Sequence, residues 1–460
     1  MNIDDVLGGL GGLSGIQRVL CGPASRAALR AALRELLEPG QPLGTCRLRR
    51  AKYRTRRRLS AYYDVTVGGH RRPIAVTWTP ASAHAGPRAA GDPAEREAIE
   101  RGLASPFTRL ATEVGSAQMR IQVAPADAEF PQLARVSDPA HAPAVLAAAG
   151  MDIVPGATVT TIRYRPGRRH LLRYDTGRTA AFVKCYRDGE RAARAGRVAG
   201  GVAGRLAGAA APLRAVRPLA VLADDAVVVY PRVVGTPLSR QLARVSPDAG
   251  PHLHAAGAGL RLLHRNSSAL LADLKPHSFA SEATKTASAC EHIHTLLPEV
   301  GRRITAALDR ARELHDGLPQ EPATLVHGDL KADHLWVTRG GLVLIDFDTC
   351  EVADPALDIG KLLADLQWWH DQHGRPGSVI PVQAHVLDAY QAPSERVLRA
   401  RVYEAVILIK ITAHRVRLFD QDWPQRTARL IGRAEAALAD LEGQIGRRLA
   451  GASTTATTLR

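Results

Sequence analysis

The sequence predicts an α+β chain: a small β-rich lobe, a larger and mainly helical lobe after it, and a further β-containing region ahead of both. Three observations point there. Residues 44–79 and 157–186 alternate apolar and polar positions with the two-residue period of strands, broken by turn residues. From Pro237 onward the apolar positions recur with helical spacing. Within that helical part, one short β-stretch brackets a polar loop and carries an aspartate on each side, Asp329 and Asp346. The implied boundaries are a cap region over 1–135, a β-rich lobe over 150–235 and a helical lobe over 236–450.

Taken in order, residues 1–40 read as helix-rich, with Arg26 to Leu37 the clearest helical run. Strands are expected over Cys46–Tyr53, Leu59–Val67 and Pro73–Thr79, with Gly68-Gly69 as a turn. Ala81 to Asp92, rich in Ala, Gly and Pro, reads as a mobile loop. Asp92 caps a short helix to Leu103 that opens on Pro93. Glu129 to Ala140 reads as a linker before a helix ending near Ala149. Three strands follow at Ala157–Tyr164, Arg169–Tyr174 and Thr179–Tyr186, then a helix over 188–206 and strands over 216–222 and 226–230. In the helical part, Leu335–Val337 and Leu342–Ile345 flank a Gly340-Gly341 turn. Two long amphipathic helices over 394–419 and 426–449 precede a polar, frayed tail from Gly451.

The chain repeats itself. Tyr53 to Asp64 aligns with Tyr164 to Asp175, and six of the twelve positions are identical. The next strand follows in both copies, with Thr77 where the second copy has Lys184. The first region therefore reads as a degenerate copy of the second, kept as a structural cap. Such a copy requires a three-stranded antiparallel sheet near the N-terminus.

Composition narrows the function classes. Residues from Thr236 onward carry 26 basic and 26 acidic side chains, so the whole net charge of +16 lies before them. Without an aromatic-interleaved basic motif this reads as a solvated basic face rather than a nucleic-acid surface, although salt-dependent nucleic-acid binding is a third reading to test. No apolar run approaches the roughly 20 residues of a membrane span, and Met1 to Gln17 lacks the basic start of a signal peptide. A cytoplasmic protein with reduced, structural thiols is expected from five scattered cysteines. Lysine is rare, seven residues against 54 arginines, and Lys184 and Lys331 are two of the seven.

The strongest motif is His327-Gly328-Asp329-Leu330-Lys331-Ala332-Asp333-His334, followed by Ile345-Asp346-Phe347-Asp348. Two carboxylates beside one space suit phosphoryl transfer: one deprotonates an attacking hydroxyl, the other holds the metal that neutralises phosphate charge. These segments resemble the aminoglycoside phosphotransferase and choline kinase superfamily, with its bilobal protein-kinase-like fold. A cap ahead of the lobes also resembles the maltokinase architecture. The resemblance implies Asp329 as catalytic base, Lys331 beside the transferred group, His327 as a brace, and Asp346 as principal Mg2+ ligand. It implies Lys184, with Glu190 as its partner, on the nucleotide phosphates. Gly167 and Arg168 then lie in the loop that covers them, and Val229 and Tyr230 at the adenine edge. His334 stands where the superfamily has Asn. Imidazole is a poor ligand for Mg2+, so Asp333 or Asp348 takes over, or His334 meets phosphate, or catalysis is impaired. Asp354 and Asp358 read as cap and loop brace, and Leu262 to Arg265 as packing.

The implied activity is ATP- or GTP-dependent transfer of a phosphoryl group to a small-molecule hydroxyl, with Mg2+ and without membrane or nucleic acid as partner. The alternative is a kinase-like pseudoenzyme that binds nucleotide or a partner protein.

Overall fold

Leu59, Ala61, Tyr63, Val65 and Val67 are buried and the residues between them half-buried, the alternation of a strand with one covered face. The computed structural model describes residues 2–83, 92–152, 156–208, 211–244, 249–265, 272–374 and 377–457. Residues 84–91, most of the expected mobile loop, and the last three residues of the expected tail lie outside these. The chain divides into two units. The first is Met1–Arg197 with Arg217–Arg232 and Arg417–Gln421; the second is Val198–Val216, Val233–Val416 and Asp422–Arg460.

The first unit opens with α1 (Ile3–Gly8), α2 (Gly12–Cys21) and α3 (Pro23–Glu35). Strands β1 (Leu43–Arg54), β2 (Arg58–Val67) and β3 (His70–Trp78) form a meander. Gly68 and Gly69 turn β2 into β3 at φ 55° and 82°, angles that glycine alone adopts without strain. After α4 (Pro93–Glu100) come β4 (Ala111–Val114) and β5 (Met119–Val123), and the antiparallel sheet runs β1-β2-β3-β5-β4. The buried phenols of Tyr53 and Tyr63 donate to the carbonyls of Leu7 and Leu20, at 2.8 Å and 3.3 Å, which ties the first helices to one face of this sheet. Strands β4 and β5 escaped the sequence reading, although Met119, Ile121 and Val123 alternate correctly. The segment expected as a linker contains α5 (Leu133–Ser137) and leads to α6 (Ala142–Ala148).

The same unit then repeats the pattern. Strands β6 (Thr158–Arg165), β7 (Arg169–Asp175) and β8 (Ala180–Cys185) form a second meander, and α7 (Gly189–Arg205) follows. Strand β9 (Leu213–Ala215) belongs to the second unit, and β10 (Ala220–Leu222) and β11 (Val227–Pro231) complete the sheet in the order β10-β11-β8-β7-β6. Each sheet is thus a meander, a helix, and two more strands that pair next to the third. The registers agree as well. Ser60 faces Thr77, which faces Arg120 and then Glu113; Leu171 faces Lys184, which faces Val228 and then Val221. Thr77 holds in the first sheet the place of Lys184 in the second. Phe130, Leu133, Val136, Val145 and Leu146 pack with Leu172, Tyr174, Val183 and Val229 in one buried cluster that also takes in Ala75 of β3.

The second unit holds a four-stranded sheet in the order β12-β14-β15-β9, formed with β12 (Thr236–Pro237), β14 (Leu335–Thr338) and β15 (Gly341–Leu344). A two-stranded ladder joins β13 (Thr324–Val326) to β16 (Glu351–Ala353). Around them lie α8 (Leu238–Ala243), α9 (Ala249–His264), α10 (Phe279–Ala289), α11 (Glu291–Leu296), α12 (Pro298–Asp316), α13 (Ala356–Gln372), α14 (Ile380–Tyr390), α15 (Ser394–Arg415) and α16 (Trp423–Thr457). Helix α15 corrects an expectation. It is buried on nearly every side from Leu398 to Thr412, hence a central helix and not an amphipathic surface one. Helix α16 runs through the segment expected to fray from Gly451. No described helix is long and apolar enough to cross a membrane.

Candidate active site

Strands β14 and β15 pair antiparallel, with Leu335 opposite Leu344, so the residue before β14 and the residues after β15 lie side by side. The backbone confirms it: Ile345 N–H donates to the carbonyl of His334 at 3.0 Å. Asp346 follows at φ +69°, a left-handed conformation that costs a non-glycine residue energy and concentrates at functional sites. Gly328 adopts φ +76°, and a Cβ there would lie 2.0 Å from the Thr349 carbonyl oxygen, so the loop requires glycine at that point.

These constraints bring Asp329, His334 and Asp346 together, with one potential ligand atom of each within 4.8 Å of the others. Lys331 Nζ lies 2.6 Å from Asp329 Oδ2. Burial raises the Asp329 pKa, but the charge and hydrogen bond of Lys331 outweigh it and hold this carboxyl below its ordinary range. Burial, then Lys331, pushes the His334 pKa down to about 3, so its imidazole is neutral. His334 Nε2 is 3.5 Å from Asp346 Oδ2 and its Nδ1 3.9 Å from Asp329 Oδ2, and Nδ1 is buried without a hydrogen-bond partner. Two carboxylates and a neutral imidazole with a spare ring nitrogen fit a divalent cation. Asp348 is not one of the three, and Asp333 is exposed.

The loop is braced from beneath. His327 is fully buried, and its Nε2 lies 3.0 Å from the Ile345 carbonyl. Asp358 Oδ2 accepts His327 N–H at 2.6 Å and Oδ1 accepts Gly328 N–H at 2.9 Å. Seven residues on, two turns along the same face of α13, Asp365 accepts Ala332 N–H at 2.7 Å and pairs with Arg415 at 2.6 Å. His264 does more than pack: its two ring nitrogens meet Tyr390 Oη at 2.8 Å and Asp358 Oδ2 at 3.2 Å. Asp354 accepts Ala356 N–H at 2.9 Å and pairs with Arg399. Asp365 gave no signal in the sequence, because a brace is defined by what it reaches and not by its neighbours in the chain.

The residues expected at the nucleotide lie in the first unit. Lys184 is on β8 and 8 % exposed. Glu190, in the first turn of α7, and Arg168, at the β6–β7 tip, are exposed. Gly167 turns the tip at φ +67°. Its N–H donates to Asp127 Oδ2 at 2.7 Å and its carbonyl accepts from Arg187 at 2.7 Å. Asp127 also meets His170 Nε2 at 2.8 Å, and Arg187 pairs with Glu129 at 2.9 Å, so residues 127–129 clasp the hairpin tip. The sequence reading missed this clasp. Val229 is fully buried, and its carbonyl already accepts Leu219 N–H at 2.8 Å, so it is not free for an adenine edge; Tyr230 next to it is half-buried.

No curated protein matches the chain. Among solved structures, a choline/ethanolamine kinase family protein from Mesorhizobium loti is 16 % identical with a TM-score of 0.43, over 64 % of this chain and 93 % of its own. A spectinomycin phosphotransferase in complex with ADP and spectinomycin is 12 % identical with a TM-score of 0.41, over 62 % and 93 %. A macrolide 2'-phosphotransferase from Brachybacterium faecium is 18 % identical with a TM-score of 0.40, over 65 % and 97 %. The model of the phosphotransferase enzyme family matches residues 167–401, a span that opens at the β6–β7 tip and encloses the paired aspartates. With its α+β fold, this chain belongs to the phosphotransferase enzyme family.

Proposed function

We propose that the chain moves the terminal phosphoryl group of ATP, or of GTP, to a hydroxyl of a small molecule such as a sugar, an aminocyclitol or an antibiotic. The observation that carries the reading is the meeting of Asp329 and Asp346 around His334. Asp329 takes the proton of the acceptor hydroxyl as its oxygen bonds to phosphorus; the bond to the bridging oxygen breaks and the nucleoside diphosphate leaves. Lys331, 2.6 Å from that carboxylate, keeps the base ionised. A divalent cation, for which Mg2+ is the expectation, would be held by Asp346 and His334 and would supply neutralisation of phosphate charge. Asp358 and Asp365 hold the loop so that the base does not reorient during the step.

On the resemblance, Lys184 grips the phosphates, and Gly167, Arg168, Glu190 and Tyr230 border the nucleotide. The charge balance after Thr236 favours a neutral hydroxyl compound over a polycation, and a cytoplasmic setting suits a nucleotide-dependent reaction. The paired carboxylates support transfer over a pseudoenzyme that only binds nucleotide or a protein.

A coupled ADP-release screen over sugars, aminocyclitols and antibiotics tests the reading. Asp329→Ala should lower turnover by about a thousandfold while nucleotide affinity stays within a few-fold. Full turnover in that variant would remove Asp329 as the base.

A further inference from the structure

His334 stands where the superfamily pattern has an amide oxygen, and an imidazole has no oxygen to offer. Its position is not loose. The His334 N–H bonds to the Lys331 carbonyl at 2.9 Å and its own carbonyl takes Ile345 N–H at 3.0 Å, so the backbone is held on both sides. The ring is nine-tenths buried, at 10 % side-chain exposure. Nδ1 has no hydrogen-bond partner, and an orphaned buried nitrogen is costly unless something binds it. Nε2 lies 3.5 Å from Asp346 Oδ2; the orphaned Nδ1 lies 3.9 Å from Asp329 Oδ2, longer than a made hydrogen bond but close enough for two donors that share one cation, each about 2.1 Å away. Among the described residues, these three form the one group of three or more His, Cys, Asp or Glu side chains able to hold a metal.

Mg2+ is a hard ion that takes oxygen in a near-ideal octahedron and resists nitrogen. First-row transition ions accept imidazole beside carboxylate and phosphate oxygen. From this we infer that His334 is a nitrogen ligand of the nucleotide-bound cation, and that the site prefers Mn2+ or Co2+ to Mg2+. The inference rests on the phosphoryl-transfer reading for the nucleotide that brings the cation.

The experiment uses the full chain labelled with 15N, unlabelled ADP and Mn2+. Pulsed electron paramagnetic resonance then reports a 15N coupling only from protein nitrogen, so adenine cannot mimic it. Calorimetry alongside compares Mn2+ with Mg2+ in the presence of ADP. The expected result is a 15N coupling in the wild type that is lost in His334→Asn. With it goes a Mn2+ preference at least tenfold beyond that of ADP in buffer, which His334→Asn returns to the buffer value. A wild-type complex without 15N coupling overturns the inference whatever the variant does. So does a coupling that survives the substitution, or a metal preference equal to that of ADP in buffer. Because coupling and affinity are read without turnover, an inactive chain with the coupling would refute the proposed activity and leave the metal assignment standing.

Discussion

Asp358 shows how much one side chain can decide. Fully buried, it accepts the backbone N–H groups of His327 and Gly328 and meets a ring nitrogen of His264. Burial raises its pKa, but the bond from His264, the charges of His264 and His327 and the backbone bond outweigh that and hold it below the ordinary carboxylate range. Its stabilisation is therefore present above about pH 4, the unfolded value, and is lost as pH falls through the folded value. Asp358→Asn should cost about 3 kcal/mol, since it leaves buried donors with a weaker acceptor, read as a lower urea midpoint at pH 7. Gly328 is the second such position. Gly328→Ala adds a Cβ 2.0 Å from the Thr349 oxygen at φ +76°, so a loss above about 1 kcal/mol is expected together with lost turnover. Unchanged thermal unfolding in that variant would contradict the loop geometry. For Lys331→Met the acid limb of the kcat/KM profile should move to higher pH, because Lys331 lowers the Asp329 pKa.

Among elements, helices α10, α13 and α15 meet at a buried charge cluster. Glu282 is 2 % exposed and takes Lys410 at 2.6 Å, Lys361 at 3.6 Å and His277 at 2.8 Å. Burial raises its pKa, yet the His277 bond and the two lysine charges together hold it far below the ordinary glutamate value. The sign is again that of a depressed carboxylate: full stabilisation above about pH 4.3, lost as pH falls. Glu282→Gln leaves two lysines facing each other in a buried place, and an unfolding free energy about 3 to 5 kcal/mol lower is expected by chemical denaturation. A change under 1 kcal/mol would mean that water, not Glu282, balances these lysines. Three of the seven lysines, Lys285, Lys361 and Lys410, surround Glu282, its partner His277 and Glu351, which pairs with His277 in turn.

For the whole chain, the two sheets of the first unit pose the main question. They share strand order and register, yet Thr77 stands where Lys184 does. We propose that the first is a degenerate copy of the second that keeps the scaffold and has lost the phosphate grip. Lys184→Ala should then weaken ADP binding about tenfold, the scale of one lost charge-assisted hydrogen bond, and Thr77→Val should leave it unchanged. Equal losses in both variants would show that the first sheet still binds nucleotide.

Residue types and spacing by themselves determined the two β-meanders, the helical run that follows them, and the hairpin that sets His334 beside Asp346. Each is written locally: strand period, helix period, and a hairpin too short to separate its ends. Tertiary structure alone decided the rest. Strands β4 and β5 are only four and five residues long, and it is the pairing of β5 with β3, and of β4 with β5, that makes them strands. That α15 is central, that Asp365 reaches Ala332 and that Asp127 clasps Gly167 are all consequences of packing between segments 33 or more residues apart. No local pattern encodes which distant backbone group a buried carboxylate will satisfy.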